Sequence, residues 1–279
     1  MCRDCGCSLG PSATRAPFAA APATPLTKIE SIHVITPHMK IESIDVIAAI
    51  LDENDRVAAH NRAHFDEHGV LALNLMSSPG SGKTSLLEAT IEALGAEFSI
   101  AVVEGDLATE NDAARIRACG VPAVQITTGS ACHLDAQMVH DALHELRLDG
   151  VDILFVENVG NLVCPASFDL GVHRNVTLLS VPEGDDKPAK YPVMFRGAEL
   201  ALITKIDLLP HIEEFNLARA RSSLRAVGYA GPVIELTRRG GAGFSAWLDW
   251  LRAEVAERRK AEPARREPGP AELAHGEPA

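Results

Sequence analysis

The chain begins with three closely spaced cysteines, in the sequence MCRDCGCSLG. Cys2, Cys5 and Cys7 form a C-x-x-C-G-C pattern, whose thiols could make a disulfide, a redox pair or a metal site. In a reducing compartment, clustered cysteines indicate metal or redox chemistry more often than disulfides. A thioredoxin-like redox pair requires the motif after a strand and at the start of a helix. Here the motif precedes a segment rich in proline and alanine. The interpretations that remain are a metal site and solvated thiols without a function.

Three further residues in the middle of the chain have the chemistry of metal ligands. Cys132 and His133 are neighbours at the predicted start of a helix, and Cys164 follows the turn ENVG by four residues. Two thiolates and one imidazole are one ligand short of a closed tetrahedral site, and a symmetric dimer could pool two such sets. Each cysteine alone could equally be a small buried apolar residue, which is the interpretation we keep for Cys119.

The segment SSPGSGKTS (residues 77–85) follows a predicted strand and opens a predicted helix. In this context successive backbone N–H groups converge on one point, and the helix N-terminus adds positive potential. Lys83 is expected to reach the β- and γ-phosphates of a nucleotide, and the Thr84 hydroxyl to hold Mg²⁺. The strict pattern has glycine where this chain has Ser77, and the alternative is a glycine-rich turn without a ligand. The expected phosphate-binding residues are Gly80, Ser81, Gly82, Lys83, Thr84 and Ser85.

Two carboxylates are expected to complete this site. Asp106 ends the run AVVEGD, and Glu157 ends the run ILFVE. Carboxylates at the carboxyl ends of parallel strands beside a phosphate loop can bind Mg²⁺ directly or through water, so we expect both, with Lys83, to be catalytic. The amide of Gly160 could meet the γ-phosphate. Asp112 is a candidate for orienting the attacking water, although a helix-capping acid fits it equally well.

The sequence TKID (residues 204–207) ends a later predicted strand and is similar to the N-K-x-D element of GTPases. In that element the aspartate accepts hydrogen bonds from guanine, and the lysine stem packs on the ring. Lys205 and Asp207 fit these roles, while Thr204 stands where asparagine is usual. The alternative is a strand-to-loop junction with ordinary surface charges.

The composition limits the class of protein. The chain has 279 residues, a formal net charge of −12 and 46% hydrophobic residues. The acidic balance argues against nucleic-acid binding, and no apolar run approaches the ~20 residues of a membrane helix. Charged residues and prolines interrupt any secretory signal. We therefore expect a cytoplasmic protein that is not inserted in a membrane.

Seven short apolar runs alternate with helical patterns, which predicts an α/β fold with a mainly parallel sheet covered by helices on both faces. Helical spacing from Ile44 to about His68, and at 84–95 and 132–150, supplies candidate helices. We expect residues 1–26 to be a cysteine motif with a flexible linker, 27–256 a nucleotide-binding domain with an N-terminal helix, and 257–279 a disordered charged tail. The runs are residues 70–78, 98–106, 122–129, 151–160, 175–184, 199–209 and 231–236.

Taken together, the C-x-x-C-G-C terminus, NLMSSPGSGKTSLL, TTGSACHLDA, VENVGNLVCPASFDLG and EGDDKPAKYPVMFRGAELALITKIDLLP resemble the hydrogenase nickel-incorporation GTPase family, HypB. The resemblance covers residues 29–252 and the first seven residues. It implies a P-loop NTPase fold of the deviant GTPase class and a homodimer that forms with GTP. It also implies nickel delivery to the large-subunit precursor of [NiFe]-hydrogenase, together with other hydrogenase accessory proteins.

The resemblance also assigns the two groups of candidate metal ligands. Cys2, Cys5 and Cys7 match the family's high-affinity nickel motif, and the matching G-domain site, which accepts Ni²⁺ or Zn²⁺, is formed by Cys132, His133 and Cys164. No polyhistidine tract precedes the G domain, and TRRGGAG (residues 237–243) is a poor copy of the loop that usually finishes the guanine pocket.

Several alternatives remain at this point. One is an accessory GTPase of the urease-maturation kind, a second is a metal-storage protein with a vestigial nucleotide site, and a third is a small-molecule kinase. Turnover is expected to be slow, because no arginine finger is evident. His60, His64 and His68 recur every four residues on one helix face, where they are either solvated histidines or a metal-binding pair.

Overall fold

The computed structural model describes residues 37–107, 111–129, 131–237, 241 and 243–261. The chain divides into two compact units, Met1–Ser43 and Ile44–Ala279. Of the first unit, only the opening turns of a helix, residues 37–43, are described. Cys2, Cys5, Cys7, the predicted linker and most of the predicted C-terminal tail lie outside the described residues.

A seven-stranded sheet, in the order β3-β2-β4-β1-β5-β6-β7, forms the centre of the second unit. Every neighbouring pair of strands is parallel, so the predicted fold class and all seven predicted strands are confirmed. All the carboxyl ends therefore lie at one edge of the sheet, where ligands bind in folds of this kind. The strands are β1 (Leu71–Ser77), β2 (Ile100–Asp106), β3 (Ala123–Thr127), β4 (Ile153–Glu157), β5 (Arg174–Ser180), β6 (Leu200–Thr204) and β7 (Val233–Leu236).

The strands are apolar on both faces because helices cover both sides. Every residue of β1 is buried, and one face packs against a cluster that contains the fully buried Trp247 and Phe155. The indole N–H of Trp247 donates to Oγ1 of Thr90, at 2.9 Å. The other face packs against a cluster that contains Phe65, Leu134 and other apolar residues. The sheet therefore lies between two apolar cores.

Eight α-helices occur among the described residues. The predicted helix at 84–95 is confirmed, since α2 spans Lys83–Leu94 and begins directly at the phosphate loop. The helix expected from Ile44 begins earlier, at Pro37. Three short 3₁₀ helices span Cys164–Ser167, Val181–Glu183 and Ile206–His211. The α-helices are α1 (Pro37–His68), α2 (Lys83–Leu94), α3 (Asn111–Ala118), α4 (Ala136–Leu143), α5 (Lys187–Lys190), α6 (Pro192–Arg196), α7 (Leu217–Ala226) and α8 (Phe244–Ala261).

The prediction that Cys132 and His133 begin a helix is wrong. Asp135 has an extended backbone, and its side chain accepts a hydrogen bond from the N–H of Met138, at 2.8 Å. An aspartate in this geometry is an N-cap, so α4 begins after it, at Ala136. Cys132 and His133 therefore lie on the loop between β3 and α4, where their side chains are not restrained by a helical backbone.

Candidate functional site

The loop between β1 and α2 has the conformation of a phosphate-binding loop. Gly80 and Gly82 have φ angles of 75° and 104°, a region that favours glycine. Lys83 is buried, and its Nζ donates to the hydroxyl of Ser77, at 3.1 Å. The Ser77 hydroxyl itself donates to the carbonyl of Ser78, at 2.8 Å, and accepts from the Ser81 hydroxyl. The serine that departs from the strict motif thus supplies a hydrogen-bond acceptor for the lysine.

Beside this loop lies an oxygen-rich group of side chains that fits Mg²⁺. The Thr84 hydroxyl donates to Oε1 of Glu157, at 2.9 Å. Oε2 of Glu157 and Oε2 of Glu104 are both buried without a hydrogen-bond partner in the structure. Buried carboxylate oxygens without partners are costly, and a hard cation with oxygen ligands would satisfy them. Thr84 and Glu157, both expected from the sequence, are therefore brought together.

Glu104 was not expected from the sequence. It lies opposite Glu157 in the register of β2 and β4, and it is 2% exposed. Burial, together with the negative charges of Glu157, Asp112 and Asp106, raises the pKa of Glu104 to about 8. Burial also raises the pKa of Glu157 to about 7, against the opposing effect of Lys83. The sequence feature that could have indicated Glu104 is a charged residue inside an otherwise apolar strand. A bound cation would favour the ionised form of both carboxyls.

A cavity of about 500 Å³ joins these groups to the other predicted nucleotide-site residues. Asp106 and Asp112 line it, as does Arg115, which the sequence did not indicate. Arg115 pairs with Asp112 at 2.7 Å and with Glu88 at 2.9 Å. Asp112 lies in the first turn of α3, so both of its expected roles stay open. The lining residues that the sequence predicted are Gly80, Ser81, Gly82, Lys83, Thr84, Ser85, Asp106, Glu157, Gly160 and Lys205.

The TKID segment is tied to the phosphate loop. Lys205 has a φ angle of 60°, and its Nζ donates to the carbonyl of Gly80, at 2.6 Å. The Thr204 hydroxyl donates to the carbonyl of Ser81, at 2.8 Å. Asp207 follows on the 3₁₀ helix after β6 and is exposed. Thr204 thus fixes this strand end to the loop although it is not the usual asparagine.

Cys132, His133 and Cys164 form a compact group of potential metal ligands. Their ligand atoms all lie within 4.8 Å of one another. The two sulfurs are 3.0 Å apart as free thiols, and Cys132 Sγ is 3.9 Å from Nδ1 of His133. The imidazole stacks on Phe168, with ring centroids 4.1 Å apart, and burial lowers the pKa of His133. A neutral imidazole beside two thiols suits Ni²⁺ or Zn²⁺.

The loop after β4 connects the cavity to this group of potential ligands, called here the Cys132–His133–Cys164 cluster. Asn158 accepts a hydrogen bond from the N–H of Leu134, at 3.1 Å, and Asn161 donates to the carbonyl of Cys132, at 3.2 Å. Both bonds reach the loop that carries Cys132 and His133. Cys164 lies at the end of the same connection, so this loop borders both candidate sites.

The comparisons with known proteins agree with this arrangement. The model of the CobW/HypB/UreG nucleotide-binding domain matches residues 71–234. Hydrogenase maturation factor HypB of Azotobacter vinelandii is 54% identical over 214 residues, which cover 76% of this chain and 70% of the relative. The chain belongs to the HypB family.

Two further family members support this membership. HypB of Escherichia coli K12 is 45% identical over 289 aligned positions, which cover 91% of this chain and 99% of that protein. A crystal structure of HypB from Helicobacter pylori in complex with nickel matches with a TM-score of 0.71 and 39% identity, over 76% of this chain and 99% of that one. The resemblance inferred from the motifs is therefore confirmed, as is the P-loop NTPase fold class.

Two buried asparagines of α1 make hydrogen bonds to the chain segments that follow the two parts of the Cys132–His133–Cys164 cluster. Asn54 accepts from the N–H of Ala136, at 3.0 Å, and donates to the carbonyl of Asp169, at 2.9 Å. Asn61 donates to the carbonyls of Ala136, at 2.8 Å, and Leu170, at 3.2 Å. Ala136 follows Cys132–His133, and Asp169–Leu170 follow Cys164. One helix therefore binds main-chain groups next to both halves of the cluster.

Cys119 is exposed rather than buried, so its interpretation as a buried apolar residue is wrong. It stands in the turn after α3, where its backbone N–H donates to Ile116 O. Across the described ranges, no helix is both long enough and apolar enough to span a bilayer.

Proposed function

We propose that this chain is a GTP-hydrolysing nickel metallochaperone that assists nickel insertion into [NiFe]-hydrogenase precursors. The observation that carries the proposal is the loop after β4, which joins a nucleotide cavity to the Cys132–His133–Cys164 cluster. Membership of the HypB family and the names of the relatives support the nickel cargo and the hydrogenase target. We place the protein in the cytoplasm, as the sequence led us to expect.

The hydrolytic site combines positioning with charge. The amides of residues 80–85 and the ammonium of Lys83 bind the phosphates of GTP, which concentrates positive charge where the leaving phosphates gain negative charge. Thr84, Asp106 and Glu157 would hold Mg²⁺ through their oxygens, and the ion would neutralise phosphate charge. Gly160 lines the same cavity, and its amide would bind the γ-phosphate. Turnover is slow, because Arg115 is held by Glu88 and Asp112.

The metal site supports a dimer. Three ligands from one chain leave a tetrahedral ion incomplete, and a second copy brought near by GTP supplies the rest. Cargo is Ni²⁺, with Zn²⁺ as the alternative ion. The further partners are hydrogenase accessory proteins and the precursor of the hydrogenase large subunit.

The experiment is GTP turnover and metal transfer measured on the same preparation. Wild type should release phosphate from GTP but not from ATP, and pass Ni²⁺ to a hydrogenase precursor only with GTP present. Lys83→Ala should lower turnover by at least about a hundred-fold, as expected for loss of a group that stabilises transition-state charge. Cys164→Ala should keep GTP turnover but lose transfer. Nickel transfer that is independent of nucleotide would contradict the proposal.

The alternative functions differ in one measurement each. A storage protein with a vestigial nucleotide site would bind Ni²⁺ but release no phosphate from GTP. A small-molecule kinase would transfer phosphate to an acceptor other than water. A urease-type accessory GTPase is not favoured, since the relatives compared above are hydrogenase maturation factors.

A further inference from the structure

Five histidines gather on neighbouring faces of α1 and α4. The rings of His60 and His140 have centroids 5.1 Å apart, and those of His140 and His144 are 4.8 Å apart. His64 and His68 form another contact, at 4.7 Å. α1 contributes His60, His64 and His68, α4 contributes His140, and His144 is the residue that caps the C-terminus of α4. None of these residues has a part in the proposed nucleotide or metal site.

His140 is held in one orientation and one tautomer. Its Nδ1 is 3.2 Å from Oδ1 of Asn61, a fully buried residue. The amide nitrogen of Asn61 donates to the carbonyls of Ala136 and Leu170, so its Oδ1 is the acceptor. Nδ1 of His140 must then carry the proton, and Nε2 keeps its lone pair. A histidine whose second nitrogen donates to a fixed oxygen is the usual arrangement of a metal ligand.

His60 and His144 both have ring contacts with this oriented ring. Both are exposed, and both approach His140 edge-on. Among the described residues, the only group of three ligand atoms that converges within 4.8 Å is the Cys132 cluster, so rotation of the two exposed rings must accompany binding. Such rotations are cheap for exposed side chains. His68 is engaged by Asp149, at 3.2 Å, and is not needed.

We propose that His140, His60 and His144 bind a divalent transition-metal ion at the surface between α1 and α4. Imidazole ligands suit Ni²⁺, Zn²⁺ and Cu²⁺, and they do not suit Mg²⁺ or Ca²⁺. The net charge of −12 favours cations near the chain. This site is separate from the cysteine sites, and it does not depend on the proposed GTPase function.

The test uses the full-length chain with the other candidate ligands removed. Cys2, Cys5, Cys7, Cys132 and Cys164 are changed to serine, and His133 to alanine. Equilibrium dialysis with Ni²⁺ alone should then show one ion bound per chain. Adding His140→Ala should weaken this binding about ten-fold or more, the size expected even for a supporting residue of a metal site. His211→Ala, which removes an exposed histidine on the 3₁₀ helix after β6, should leave it unchanged.

A second variant protects the test against misfolding. His60→Ala with His144→Ala changes exposed residues only, and it should weaken Ni²⁺ binding at least as much while the melting temperature stays the same. Cu²⁺ bound to the parent should show nitrogen hyperfine couplings in its paramagnetic resonance spectrum, and these should diminish in both variants. Unchanged Ni²⁺ affinity in either His140→Ala or the double variant would show solvated histidines rather than a site, and would overturn the proposal.

Discussion

Gly160 packs directly against Pro79, with no room between them for a side chain. A Cβ at Gly160 would lie 2.8 Å from both Cα and N of Pro79, closer than such atoms approach in proteins. The loop after β4 therefore rests on the phosphate loop itself. Cys164 lies at the other end of that loop. A displacement of the phosphate loop would therefore also move one residue of the Cys132–His133–Cys164 cluster.

The bound nucleotide should change the affinity of the Cys132–His133–Cys164 cluster for Ni²⁺. Gly160→Ala should reduce this change. With Cys2, Cys5 and Cys7 changed to serine, we expect Ni²⁺ affinity to differ between GDP and a non-hydrolysable GTP analogue. A coupling free energy of ~1–3 kcal/mol corresponds to roughly five- to 150-fold. The added methyl displaces the loop from Pro79, so the ratio should approach one in the variant.

Gly197→Ala is the matched control. Its added Cβ would be 3.5 Å from the carbonyl of Val193, an ordinary contact, so the nucleotide effect should persist. Because coupling is reciprocal, GTP affinity should change by the same factor when Ni²⁺ is added. A Gly160→Ala protein with the wild-type ratio would show that this contact does not transmit the effect.

Base selectivity should depend on Asp207. The carboxylate offers two acceptors, whereas the amide of Asp207→Asn offers one acceptor and one donor. Preference should therefore move from guanine towards xanthine nucleotides, with GTP affinity falling roughly ten-fold or more, the cost of losing a hydrogen bond to a charged group. Competition binding with GTP, XTP and ATP measures this. ATP competing as well as GTP on the wild type would contradict the guanine assignment. Asp141→Asn, at an exposed position of α4, serves as the control.

Stability without nucleotide or metal should depend on pH through Glu104. Its pKa is raised to about 8 in the folded state, so the folded chain binds more protons than the unfolded chain between pH ~4.5 and ~8. The free energy of unfolding must then fall as pH rises through this window. Glu104→Gln removes the contribution of Glu104 to this effect, while the raised pKa of Glu157 leaves a smaller dependence on pH. The variant should be more stable than wild type by at least about 1 kcal/mol at pH 8, since each pKa unit is worth roughly 1.4 kcal/mol.

Chemical denaturation at pH 5 and pH 8 measures this difference, which should be larger at pH 8. Glu213→Gln, at an exposed position, should show no such growth. Equal pH dependence in Glu104→Gln and wild type would mean that Glu104 is ionised in the folded chain. In wild type, binding of GTP with Mg²⁺ should release protons, because the cation favours ionised Glu104 and Glu157.

The N-terminal cysteines should bind nickel independently of the nucleotide-binding domain. Cys2, Cys5 and Cys7 are expected to hold one Ni²⁺ per chain, with an affinity that falls as pH falls because thiols must deprotonate. Deleting residues 1–7 should remove this ion and leave GTP turnover nearly unchanged. Metal-to-protein ratios and phosphate release on both proteins test this, and a large loss of turnover would show that the segment is not independent.

Periodicity and motifs were sufficient to predict the sheet and to name many of the residues that line the cavity. Apolar runs such as residues 151–160 read as strands because both faces of a parallel sheet are buried. The motif located Lys83 and Thr84 at the start of α2, where the structure has them, and their roles in binding phosphate and Mg²⁺ stay predictions. The pairing of Thr84 with Glu157 across distant parts of the chain could be expected from the shared edge of the sheet.

Other features depend on contacts that one sequence does not reveal. Glu104 becomes significant only through its register with Glu157, and strand register between β2 and β4 is set by the whole sheet. The start of α4 is set by the N-cap Asp135, which accepts from the N–H of Met138, whereas the helical spacing alone extends back to Cys132. The contact between Gly160 and Pro79 joins two loops that are far apart in the sequence, so no local sequence pattern predicts it.

The bonds from α1 to the metal-site loops involve only main-chain groups of those loops. Asn54 and Asn61 contact the backbone at Ala136, Asp169 and Leu170, and they make no demand on the identity of the ligands nearby. The bonds from Asn54 and Asn61 therefore do not depend on which side chains stand at positions 132, 133 and 164. Substitutions at Cys132, His133 or Cys164 can retune the preference for one ion over another while the frame that holds them stays unchanged, which makes this cluster a tractable place to redesign metal selectivity.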